Sequence, residues 1–153
     1  FVYQITSIMR NARSFFHAIS YLQYPLMLVG FYFAVQPYLN GFEQVLDDLN
    51  ATLVFMGLGI SFSTLQDTTK TQNKLSQRVW EDPKKGRLFL IVMSLTVLFI
   101  LCVGMYAYFV APEQGMRQLA FGFIVFGIGM MGMLKAAVEM YEYHGRKAKE
   151  AAE

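Results

Sequence analysis

Charge is what this sequence withholds from most of its length. Asp, Glu, Lys and Arg make up 16% of its 153 residues, against roughly 25% in an average soluble domain. They are missing altogether from four stretches: Ser14 to Phe42, Leu49 to Gln66, Leu88 to Ala111 and Gln118 to Leu134. A helix crosses the ~30 Å hydrocarbon core of a bilayer with ~20 apolar residues, about 17–25 being the working range. Each stretch meets that length. The third, "LFLIVMSLTVLFILCVGMYAYFV", also excludes a soluble four-helix bundle, because it is apolar on every face where a bundle helix keeps one wet face.

Other shortages limit the chemistry. The single cysteine, Cys102, cannot form an intrachain disulfide and sits as a small apolar filler in the third stretch. There are two histidines, His17 and His144, both near the same end of their helices. They are the one pair able to hold a haem, between spans one and four, although interfacial histidines are more often plain polar residues. No Cys or carboxylate cluster has metal-ligand spacing. No nucleophile elbow, phosphate loop or paired-carboxylate motif occurs. Ser94 and Thr96 have no base within sequence reach and are expected to bond back to their own helix. The sequence therefore leads us to expect neither an enzyme nor a cofactor or metal site. An ion-coupled transporter would place a carboxylate or a broken helix at mid-membrane, and none is found.

What is present is an all-α membrane protein of four spans, at about 18–39, 50–66, 88–111 and 118–141. An amphipathic interfacial helix over 1–17 precedes them, with Ile5, Ile8, Ala12, Phe15 and Phe16 on its apolar face. Pro37 is expected to break span one, and an acidic loop leads into span two. That second helix is expected to run on into the 67–87 linker as far as Pro83. A charged tail, 145–153, closes the chain as a frayed extension of span four. Twelve of the 13 Lys and Arg fall on the side holding the termini and the linker, leaving Arg117 opposite. By the positive-inside rule that side is the cytoplasm. The linker's six cations are accompanied by acids and many polar residues, so they read as a topology signal and not as a nucleic-acid site. Lys135, near the inner end of span four, is expected to snorkel and to pair with Glu139 one turn on.

The halves also resemble one another. "LMLVGFYFAVQP" aligns with "ILCVGMYAYFVAP" on Val-Gly, and "LVFMGLGIS" aligns with "FIVFGIGMM" on Gly-x-Gly. Such a repeat would be parallel, two hairpins related by an axis along the membrane normal. Helices in a bilayer gain no ordinary hydrophobic drive to associate, so small residues mark their contacts. Gly57 with Ser61, Gly59 with Ser63, and Gly122, Gly129, Gly132 and Ala136 therefore select spans two and four as the packing helices.

With its tandem hairpins and the span-two exit "GLGISFSTLQDTTK", the chain resembles the YiaA/YiaB-type bacterial inner-membrane proteins. The likeness rests on the four-span layout and on Gly57, Ser61, Leu65 and Gln66. The Arg-Asp that usually follows in that family is replaced by Asp67, Thr68, Thr69 and Lys70. The resemblance implies a bacterial inner membrane and no particular chemistry. Besides lipid, the expected partners are other membrane subunits or further copies of the chain. The expected function is an accessory or structural subunit of a larger membrane complex, the alternative being a small homo-oligomeric channel or carrier.

Overall fold

The fold is that of a computed structural model describing residues 14–65, 80 and 82–150. The interfacial segment falls outside them up to residue 13, as does most of the linker. Among the described residues there is no strand. Four helices are long and apolar enough to cross a membrane: α1 (Ser14–Asn40), α2 (Val45–Ser63), α3 (Pro83–Val110) and α4 (Gln114–Glu150).

Helix α1 continues the described end of the interfacial segment, with a turn at Tyr21 and Leu22 and its main body from Gln23 to Asn40. Pro25 causes the turn. Lacking an N–H, it cannot bond the Tyr21 carbonyl, which accepts from Tyr24 N–H at 3.2 Å instead.

Pro37 does not break the helix, contrary to the expectation from sequence. It lies buried within α1, which continues to Asn40. A proline so near the end removes one donor from a last turn that is frayed anyway, and membrane helices tolerate it. The stop falls at Gly41, whose φ of +90° belongs to a region that side-chain-bearing residues rarely enter.

The acidic loop is also largely helical. A 3₁₀ turn over Phe42–Gln44 feeds α2, whose first turn holds Asp47 and Asp48, where the helix dipole favours negative charge. At its other end α2 stops at Ser63, and the expected extension into the linker lies outside the described residues. The Ser63 and Thr64 hydroxyls donate to the Ile60 and Ser61 carbonyls at 2.7 Å each, offering the backbone another arrangement there.

Helix α4 passes through the expected boundary at 141 and reaches Glu150 unbroken. It is ~55 Å long at 1.5 Å per residue, well beyond the hydrocarbon core. Gly145 lies inside this extension with open space around it. Gly145→Ala should therefore stabilise the extension by up to ~1 kcal/mol, seen as slower amide exchange over 141–150. Unchanged exchange would mean that the extension is already held by other contacts.

The helices form a row and not a closed bundle. Helix α1 packs on α2, α2 on α4 and α4 on α3, with no other long-helix pair in extensive contact among the described residues. Each hairpin is antiparallel. The Cβ position of Gly30 faces Met56 while that of Gly59 faces Met27, and Gly104 faces Ile124 while Gly86 faces Tyr141. The central pair is parallel, since Asn50 meets Gly122 and Gly57 meets Gly129.

Buried positions recur every seven residues: Gln23, Gly30 and Pro37 in α1, and Gly86 with Met93 and Val97 with Gly104 in α3. That period keeps one helix face against a gently supercoiled neighbour. Many large apolar side chains face outward, as Phe109 (79% exposed) and Leu39 (72%) illustrate. Such surface is stable only in lipid.

Candidate functional site: the seam between the hairpins

The seam joining the hairpins is the most closely approached part of the molecule. A Cβ on Gly57 would lie 2.7 Å from the Phe126 Cα and 2.8 Å from the Val125 carbonyl oxygen, and a Cβ on Gly129 would collide with the Gly57 carbonyl. Backbones this close leave room only for hydrogen, and Cα–H groups facing carbonyl oxygens add weak attraction to dispersion. The Gly57 carbonyl also accepts the Ser61 hydroxyl at 3.0 Å, so the serine brings no unpaired polar group to the seam.

The lane on α4 extends further than the sequence suggested. Gly115 faces Leu46, Gly122 faces Asn50 and Leu53, Gly129 faces Gly57, and Gly132 touches Thr64. Ala136 follows at half-buried depth. Gly59 points the other way, toward Met27 and the Gln23 carbonyl on α1. Gly57 and Gly59 thus serve different interfaces, and Ser63, one turn from Gly59, belongs with the α1 side.

This geometry corrects the repeat. Gly30 and Gly104 do correspond, each facing the second helix of its own hairpin. In the second helices, however, Gly57 corresponds by role to Gly129, since the two face each other. Gly59 corresponds to Gly127, whose Cβ position lies 2.6 Å from a Leu101 methyl on α3.

At the end of the helices that holds the linker, Trp80, Met93 and Ala137 form a buried cluster flanked by Leu90, Leu134, Met140 and Tyr141. The Tyr141 ring lies 2.8 Å from the Cβ position of Gly86, and the Trp80 ring meets Phe89 edge-on at 5.6 Å. This cluster ties the end of the linker to α3 and α4. Sequence reasoning missed it, as it missed Asn50, although the lone tryptophan ahead of Pro83 was a usable sign.

Asp82 caps α3 by accepting the Lys84 backbone N–H at 3.0 Å, and its carboxylate lies 3.3 Å from the Lys85 ammonium. The backbone bond first, and then Lys85, hold its pKa below the usual 3.8. Because the folded pKa is lowered, the cap's contribution is complete at neutral pH and is lost as pH falls through that depressed value. Asp82→Ala should loosen the first turn of α3 at pH 7, while Asp82→Asn, which can still accept, should not. Equal amide exchange over 84–87 in the two variants would refute this.

Lys135 and Glu139 pair at 2.7 Å, with side chains 77% and 50% exposed. Lys135 lies ~32 Å along α4 from Gln114 at 1.5 Å per residue, which places it at the edge of a ~30 Å hydrocarbon core. An exposed one-turn pair of this kind contributes little to stability.

His17 and His144 lie on α1 and α4, and α2 packs between the main bodies of those helices. The His17 carbonyl accepts the Ser20 hydroxyl at 2.7 Å, and His144 Nδ1 lies 2.8 Å from the Met140 carbonyl. Ser94 and Thr96 bond back to Leu90 and Val92 at 2.8 and 2.9 Å, as expected. Among the described residues, no cluster of three His, Cys, Asp or Glu could hold a metal ion.

Fold and seam together define an all-α integral membrane protein of two tandem hairpins. No family model, curated protein or solved structure matches the chain.

Proposed function

We propose that this is a non-enzymatic accessory or structural subunit that binds and stabilises a larger complex in the membrane. The observation that carries the reading is the outer surface of the row. Helices α1 and α3 stand at its two ends and turn Phe31, Tyr32, Leu95, Phe99, Tyr106 and Phe109 outward, all more than half exposed. Such edges suit other membrane helices. A pore is disfavoured because the Thr52, Ser61, Ser63 and Thr64 hydroxyls of α2 all donate to their own helix, at 2.7–3.0 Å. Among the described residues these hydroxyls therefore offer a channel no free donors.

The resemblance to YiaA/YiaB-type proteins favours a bacterial inner membrane. The Lys and Arg asymmetry favours cytoplasmic termini. Purification from native membranes in mild detergent tests the reading. An unrelated membrane protein retained at fixed stoichiometry is the expected result. A ring of this chain alone that conducts ions in a planar bilayer would overturn it.

A further inference from the structure

Asn50 is the anomaly of the seam. Its Oδ1 is the one buried side-chain oxygen or nitrogen without a hydrogen-bond partner among the described residues. It lies within the α2–α4 interface, 2.7 Å from the Cβ position of Gly122, and the Asn50 backbone carbonyl lies 3.1 Å from that same point. Both oxygens therefore face the Cα–H of one glycine, a weak donor suited to a position where nothing larger fits.

Asn50 also occupies a defined place in the seam. It precedes Gly57 by one heptad, as Gly122 precedes Gly129, and the two pairs face each other in step. A lone asparagine at the inward position of a parallel helix pair can fix register at a cost in stability.

We propose that Asn50 and Gly122 form the register lock of the protein, the positioning pair that holds the hairpins parallel and in one axial alignment. Asn50 adds to what the glycines do. The lane on α4 repeats small residues at 115, 122, 129 and 136, so a slip of one turn already sets Gly57 against Phe126 or Met133, and Asn50 raises the cost of that slip. Shifted by one turn along α4 it would meet the bulk of Leu119 or Phe126. The lock trades stability for a single alignment.

Disulfide trapping in the full chain in membranes tests this, with Cys102→Ala as background. The Cβ position of Gly115 lies 3.9 Å from the Leu46 Cβ, near the ~3.8 Å mean of real disulfides. Leu46→Cys with Gly115→Cys therefore reports the native alignment, and Leu46→Cys with Leu119→Cys reports a slip of one turn. With Asn50 present the first pair should oxidise at least tenfold faster. Asn50→Leu should bring the two rates within about threefold while leaving the melting temperature unchanged or higher. A preserved tenfold preference in Asn50→Leu would overturn the proposal. Asn50→Ala provides the second measurement. Gly122→Ala should destabilise the chain less in that background than in the native one, because the oxygen that its methyl would strike is gone. An equal penalty in both backgrounds would likewise overturn the lock.

Discussion

Leucine at position 129 is expected to part the two hairpins. The Cβ position of Gly129 is already occupied by the Gly57 carbonyl, and Gly57 in turn lies against Phe126 and Val125. These obstacles are backbone, so no rotamer change relieves them, and α2 and α4 must move apart. Overpacking of a well-filled interior costs ~1–3 kcal/mol. The separation adds to this, because a gap of 0.5–1 Å forfeits roughly a quarter to a half of each dispersion contact. In lipid no hydrophobic drive pushes the helices back together, since acyl chains solvate the freed faces as well as the partner helix did. We expect Gly129→Leu to remove the Leu46–Gly115 cross-link and to lower the detergent melting temperature markedly, and Gly129→Ala to fall between it and the native chain. Ile128→Leu, one residue away but 56% exposed, should change neither. A native melting temperature in Gly129→Leu would show that this seam does not hold the molecule together.

The membrane class and the choice of helices two and four were legible because they rest on strong, local signals. Runs without charge identify spans whatever their neighbours do, and glycine spacing reports close approach without any knowledge of the partner. Which glycine faces which helix was not legible. Gly57 and Gly59 look alike in sequence, yet they lie 200° apart around a helix that turns 100° per residue, and so they serve α4 and α1 respectively. The Gly-x-Gly match paired Gly57 with Gly127 because alignment compares neighbours along the chain. The fold pairs Gly57 with Gly129 because only those two approach each other. Helix ends were harder still. Pro37 signals a stop, but in lipid a helix gives up hydrogen bonds reluctantly, and α1 continued to the glycine that could turn it.

The row arrangement explains why the seam matters so much. In a closed bundle each helix touches two neighbours and the loss of one contact leaves a circuit. Among the described residues α2–α4 is the one extensive contact between the hairpins, and the linker is their covalent connection. The burden on Gly57, Gly122 and Gly129 follows from that topology.

The second large effect is expected at the other end of the linker. Trp80 is 6% exposed and sits among Met93, Ala137, Leu90 and Tyr141, with Phe89 edge-on to its ring. Removing a buried tryptophan side chain from such a cluster costs ~3–5 kcal/mol where the surroundings cannot collapse. Collapse is restricted because Gly86 already brings α3 against the Tyr141 ring. Trp80→Ala should therefore free the start of α3 from α4 over residues 83–90 and 137–145, raising amide exchange there at least tenfold. The half of the same hairpin away from the linker should keep its protection, because Gly104 remains seated on Ile124 and Phe123. Phe89→Ala should have a smaller effect in the same direction, as Phe89 is 46% exposed and gives up less contact. Trp80→Phe should restore most of the protection, since an aromatic ring still fills the site. If exchange over 83–90 is the same in Trp80→Ala as in the native chain, the cluster does not anchor the linker, and the start of α3 is held by lipid and its own cap alone.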